Sequence, residues 1–248
     1  MFMTPLCWEH WTERFRSRGY TCTAPAWPGR EESVETLRKK HPDPRLGELT
    51  LSQVVAHITD YVRKLGPKPI LVGHSMGGLV TQILLNRDLA AAGVAIDSAP
   101  PVGVVTTRFS FLKGNWPMVN PLVSGLVPRF MSFKDFQYTF VNNLPLEEQR
   151  KAYDRYVVPE SRRVPRESLQ AIARIDFRKP HAPLLLTAGT ADNIVPAPLN
   201  RTNYRRYRNS PSVTDFKEFA GRCHFLIGQK GWEEVADYVL DWLKGKGL

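Results

Sequence analysis

Pro69-Ile70-Leu71-Val72-Gly73-His74-Ser75-Met76-Gly77-Gly78 is the stretch on which the reading of this chain turns. Its first half is short and continuously apolar, as expected of a strand covered on both faces of a sheet. Leu79, Val80, Ile83, Leu84 and Leu85 follow, so a largely buried helix over 76–86 begins at once. Between strand and helix stands Gly73-x-Ser75-x-Gly77. That is the pattern of a strained strand-to-helix turn, which lifts a serine hydroxyl above the sheet. With glycine near 7% of residues, a given serine is flanked this way by chance about 0.5% of the time, or roughly 0.06 times over all the serines of the chain. The helix N-terminus favours a developing negative charge, and the Met76 amide is its natural donor.

An activated serine needs a base, and the base needs an orienting acid. In this architecture the chain order is serine, acid, histidine. Only His181 and His224 follow Ser75. His181, in Lys179-Pro180-His181-Ala182-Pro183, precedes a strand, whereas parallel sheets carry their sites where strands exit. His224, in Gly221-Arg222-Cys223-His224, lies beyond the last strand and is the expected base. Asp192, in Ala188-Gly189-Thr190-Ala191-Asp192, and Asp97, which ends Val94-Ala95-Ile96-Asp97, are both exit-end carboxylates. Asp192 is favoured because it is closer in sequence to the strand before His224; Asp97 stays open as a substitute acid or an anchor. Cys223 reads as a packed thiol. His10 and His57 fall on helices, His41 in a loop and His74 inside the turn. No histidine or cysteine cluster has zinc spacing, and no phosphate-cradling glycine loop is present, so neither metal nor cofactor is expected.

Outward from the turn, strands alternate with helices, which predicts an α/β fold with a mostly parallel sheet. Thr4-Pro5 opens a first helix that Gly19 ends. A strand is expected over 20–24, a loop over 25–49 and an amphipathic helix over about 52–65. Further strands are expected at 93–97, 184–188 and, as an edge, 214–219, with a closing helix over about 231–244. Residues 104–176 lack strand alternation yet hold half of the phenylalanines, among them Phe109, Phe111, Phe130, Phe133, Phe136 and Phe140. They read as a helical insertion, with 1–103 and 177–248 as the core.

The chain has 248 residues, 42% of them hydrophobic and 23% charged, which excludes a disordered or low-complexity polymer. No apolar run approaches the ~20 residues of a membrane helix, so membrane insertion is not expected. The first residues, Met1-Phe2-Met3-Thr4-Pro5, lack a signal-peptide pattern, and three cysteines make no disulfide framework. A cytoplasmic location is therefore expected. The net charge of +10 raises nucleic acid as a partner. Its basic residues are scattered, however, and the densest cluster (Arg201, Arg205, Arg206, Arg208) reads as a solvated helix face. No nucleic-acid motif accompanies it, so a small-molecule substrate is expected instead.

Gly-His-Ser-Met-Gly-Gly at 73–78, Ala-Gly-Thr-Ala-Asp at 188–192 and Gly-Arg-Cys-His at 221–224 together resemble the α/β-hydrolase family, in its capped esterase- and lipase-like branch. The resemblance spans nearly the whole chain. It implies an α/β-hydrolase fold with helices on both faces of the sheet, Ser75 as nucleophile, Asp192 as acid, His224 as base and 104–176 as a cap. It also implies a first strand followed by a loop that supplies a second oxyanion amide. Only Met1-Phe2-Met3 precede the first helix here, which puts Phe2 (or Met1) in that loop. The expectation is that the central strand, about ten residues with its turn, lies upstream of Met1. The activity implied is hydrolysis of a small apolar ester through an acyl-enzyme. C–C bond hydrolysis, cofactor-free peroxide formation and lyase chemistry use the same triad, and a non-catalytic ligand-binding protein could keep the fold. Epoxide hydrolases and dehalogenases normally use an aspartate nucleophile, so Ser75 argues against both.

Overall fold

A computed structural model describes residues 1–248. Thr4 caps a short turn, Pro5–Trp8, that runs into α1 (Glu9–Ser17). Then follow α2 (Val34–Lys39), α3 (Pro44–Glu48), α4 (Leu51–Lys64), β1 (Ile70–His74), α5 (Met76–Asn86) and β2 (Ala92–Ile96). Four helices come next: α6 (Phe109–Val119), α7 (Phe133–Thr139), α8 (Leu146–Tyr156) and α9 (Arg163–Glu167). The chain finishes with β3 (Leu184–Gly189), α10 (Ala197–Arg206), β4 (Thr214–Phe219) and α11 (Trp232–Gly245).

The four strands form one sheet in the order β1-β2-β3-β4, parallel throughout. Alternation along the strands feeds two cores. Ala95, Leu184 and Leu186 pack with α4, α5 and α10 on one face. Val94, Ile96 and Leu185 pack with α1 and α11 on the other. A parallel sheet buried on both faces needs such apolar continuity. Helix α4 is set by a capping box, in which Thr50 and Gln53 satisfy each other's backbone N–H groups. On the opposite face, the Trp11 indole donates to the Ile227 carbonyl at 2.8 Å, and Arg14 grips Asp237 with two hydrogen bonds.

Two expectations need correction. Residues 20–27 form no strand, and Tyr20–Ala24 joins no ladder of the sheet. The nearest sheet edge, β1, stands across a cavity of about 440 Å³ lined from both sides, by Tyr20, Cys22 and Ala24 on one and Ile70, Val72 and His74 on the other. A strand without a neighbouring ladder leaves its backbone groups unpaired and does not form. Residues 25–49 are not all loop either. Ser33 and Asp43 cap α2 and α3, whose five or six residues are too short for hydrophobic periodicity to reveal. The expected edge strand is β4, and 104–176 is helical and free of strands.

Candidate active site

The turn after β1 is held from several sides. Ser75 has φ +58° and ψ −121°, a conformation that side chains other than glycine rarely adopt. Its N–H donates to the Ile96 carbonyl at 2.9 Å, and its own carbonyl accepts from Gly78, Leu79 and Ala99. These bonds over-determine the strained residue, the condition under which strain persists. The glycines have different reasons. A Cβ on Gly73 would strike the Gly77 carbonyl and the Thr81 hydroxyl, and one on Gly78 would lie 2.9 Å from the Ser98 Cβ. A Cβ on Gly77 would meet nothing within 4 Å.

The ends of β3 and β4 bring up the other groups. A Cβ on Gly189 would clash with the Arg222 carbonyl, so glycine lets the 220–224 loop close over the end of β3. The Ala191 N–H then donates to the Arg222 carbonyl at 2.9 Å. His224, fully buried, is thereby placed between Ser75 and Asp192. Its Nε2 lies 3.0 Å from the Ser75 Oγ, and its Nδ1 lies 2.6 Å from Asp192 Oδ2. The other Asp192 oxygen accepts from the Ile194 and Val195 N–H groups, both at 2.8 Å. Asp192 thus accepts on both oxygens, with the His224 Nδ1–H as the donor to Oδ2. That tautomer leaves Nε2 free to accept from the serine hydroxyl.

Asp97 lies behind this chain of bonds. It is fully buried, with φ +41°, and its Oδ1 accepts the Gly189 N–H at 2.7 Å. Its Oδ2 has no hydrogen-bond partner and sits 3.9 Å from His224 Nδ1. Burial, and then the Asp192 carboxylate beside it, raise the Asp97 carboxyl well above the ordinary aspartate range. His74, which no spacing argument singled out, donates its Nε2 hydrogen to the His224 carbonyl at 2.8 Å. Burial and then the neighbouring His224 hold its pKa well below the ordinary histidine value, against the bond to the His224 carbonyl, which pulls the other way. Phe140 stacks edge-on against the His224 ring at 4.8 Å and accepts the Phe225 N–H. Its helical segment is tied down at two more points: Asn142 donates to Ala191, and Asn193 to Tyr138.

Met76, first residue of α5, has an N–H with no acceptor inside the helix. Phe2 departs from expectation. It has φ +60° and is buried, but its N–H donates to Glu160 Oε2 at 3.1 Å, so that amide is already spoken for. Glu160 is fully buried, pairs with buried Arg30 and also accepts from Ser161. Nothing in the sequence marks this pair, because 130 positions of chain separate its members. Cys223 is a packed thiol that bonds Gln229, its pKa pushed up by burial to about 12. His181 lies at the entry end of β3, hydrogen-bonded to its neighbours there. His74, Asp97 and His224 present nitrogen and oxygen atoms within 4.8 Å of one another, a spacing a metal ion could bridge. His74 and His224 are, however, committed to the bonds just described.

The sequence profile of the Alpha/beta hydrolase family matches residues 1–238. The chain belongs to this family. No curated protein matches the sequence. Among solved structures, the monoacylglycerol lipase of Paleococcus ferrophilus is 20% identical, with a TM-score of 0.69 over 98% of this chain and 90% of that one. An extracellular alpha/beta-hydrolase from a Paenibacillus species is 21% identical, with a TM-score of 0.71 over 97% and 94%. Tomato methylketone synthase I is 15% identical, with a TM-score of 0.68 over 98% and 95%. At these identities the likeness is one of fold. This α/β hydrolase has no helix long and apolar enough to cross a membrane.

Proposed function

We propose that this α/β hydrolase is a serine esterase for a small, apolar ester, with Ser75 as nucleophile, His224 as base and Asp192 as orienting acid. One observation carries the reading: the unbroken hydrogen-bond chain from Ser75 Oγ through His224 to Asp192, at 3.0 and 2.6 Å. In the mechanism, Ser75 attacks the ester carbonyl as its proton passes to His224 Nε2. Asp192 stabilises the imidazolium, which then protonates the leaving alcohol. Water, deprotonated by the same nitrogen, releases the acid from the acyl-enzyme. The Met76 amide faces the developing oxyanion. The Phe2 amide, held by Glu160, is not that donor's partner; one oxyanion donor is typically worth roughly 3 kcal/mol of barrier. Residues 104–176 form the cap, and its Phe140 closes the base against water. The Paleococcus neighbour is a monoacylglycerol lipase and another neighbour is an esterase, which agrees with ester chemistry.

A fluorophosphonate probe with a p-nitrophenyl ester panel tests this. Labelling and turnover that both vanish in Ser75→Ala are expected. A folded protein that takes no label would overturn the proposal in favour of a ligand-binding protein. Labelling without ester turnover, but with cleavage of a C–C substrate, would move the reaction rather than the triad.

A further inference from the structure

Eight of the chain's fourteen exposed large apolar side chains fall between residues 105 and 130. Helix α6 is docked by one face: Gly114 packs on Thr139 and Ile194, Met118 is buried, and Asn115 donates to the Phe111 and Ile194 carbonyls. Its opposite face carries Phe109, Leu112 and Trp116, which are 74%, 52% and 55% exposed. Their spacing of three and four residues stacks them in one stripe. An ordinary surface helix puts polar residues there. The stripe continues into the following loop, where Leu122 and Leu126 are 91% and 57% exposed. That loop is not slack. Arg166 donates to the Met118, Asn120 and Val123 carbonyls, and Arg162 to those of Pro117 and Val127.

Charge narrows the choice of partner. From Ser98 to Lys134 the sequence contains no aspartate or glutamate, while Arg108, Lys113 and Lys134 lie exposed within it. The acidic residues that bracket the stretch are withdrawn: Asp97 is buried and Asp135 is paired with Arg129. An apolar stripe set among exposed cations is the pattern of a surface that sinks shallowly into a lipid–water interface with negative headgroups. At eleven residues α6 is far too short to span a bilayer.

We propose that α6 and the loop to Leu126 form an interfacial docking surface for anionic lipid, with Phe109, Leu112 and Trp116 as its anchors. The proposal stands apart from the esterase reading, since binding and catalysis are measured separately. The experiment is co-sedimentation of the full chain with phosphatidylglycerol and with phosphatidylcholine vesicles, with tryptophan emission followed in parallel. Binding to phosphatidylglycerol is expected, with a blue-shifted emission that diminishes in Trp116→Phe and an affinity that falls in 0.5 M salt (~0.5 M, about a 4 Å screening length). Substituting Phe109, Leu112 and Trp116 together by serine should weaken vesicle binding by at least about tenfold. These side chains are exposed, so the fold should survive, as circular dichroism and unchanged fluorophosphonate labelling would verify. No vesicle binding by the parent chain, or binding indifferent to the triple substitution, would overturn the proposal. So would dimerisation in solution that the same substitutions abolish, which would make the stripe a contact between copies.

Discussion

Asp97 and Asp192 offer the sharpest test of how the charge on His224 is held. In the reaction His224 becomes a cation. Asp192 Oδ2 lies 2.6 Å from its Nδ1, which at an effective dielectric near 20 corresponds to about 6 kcal/mol of attraction. Asp97 Oδ2 lies 3.9 Å from the same atom, corresponding to about 4 kcal/mol if ionised. The charge on Asp192 is one of the two main causes that hold Asp97 toward its protonated form. Asp192→Ala therefore removes one acid and favours ionisation of the other. Burial, the larger cause, still opposes that ionisation, so the net deficit is at least about 2 kcal/mol, or a loss in kcat/KM of roughly 30-fold or more. Asp97→Asn alone should cost less than about threefold, because asparagine keeps the Gly189 hydrogen bond and replaces a carboxyl held toward neutrality. The double variant loses both charges and should fall by about 10⁴-fold, the scale seen when a triad acid is removed. The assay is kcat/KM on a p-nitrophenyl ester, corrected for the active fraction by fluorophosphonate titration. If Asp192→Ala alone already falls by ~10⁴ and Asp97→Asn costs nothing more, Asp97 exerts no pull on His224 and the reasoning fails.

Other predictions are stability measurements. Glu160→Ala leaves the buried Arg30 charge unpaired and should cost about 3–5 kcal/mol in urea unfolding; a loss under 1 kcal/mol would mean that the guanidinium finds another partner. Gly78→Ala, whose Cβ would lie 2.9 Å from Ser98, should cost about 1–3 kcal/mol, whereas Gly77→Ala, which meets nothing, should cost far less; equal thermal shifts would contradict the packing argument. The folded pKa of His74 is depressed below 6.5, so the unfolded chain binds its proton first and stability is lost as pH falls below about 6.5, by up to about 1.4 kcal/mol per pH unit. His74→Gln should flatten that slope. Asp97 has the opposite sign. Its raised pKa means that stability is lost as pH rises from about 3.8 toward the folded value, so Asp97→Asn should gain stability over the parent as pH climbs.

The parts legible in the sequence are those with local causes. Apolar runs and helical stripes located all four strands and the helices flanking them, and three short motifs located Ser75, Asp192 and His224, which the fold brings together. What stayed hidden depends on distant partners. Residues 20–24 have strand composition, yet a strand exists only where a neighbour supplies a ladder, and β1 is too far away. The Phe2 amide was expected to face the site, but its partner Glu160 is 158 positions away. Neither Phe140 nor His74 carried a spacing signal, because their contacts with His224 arise only once the helical segment and the last loop have closed.

The position of β1 at the end of the sheet bears on how firmly Ser75 is held. In a parallel ladder alternate residues face each neighbour. The Pro69 carbonyl and the Ser75 N–H both bond toward β2, so the backbone groups of Ile70, Val72 and His74 point the other way, into the cavity. The strand that carries the nucleophile is therefore anchored like a beam clamped along one side. Amide exchange should read this directly as an alternating record, slow at Leu71 and Gly73 and fast at Ile70 and Val72. Across the sheet, the serine is steadied only from the β2 side, through Ile96 and Ala99, with the first turn of α5 as its other hold, so loosening the β2 seam would blunt the nucleophile.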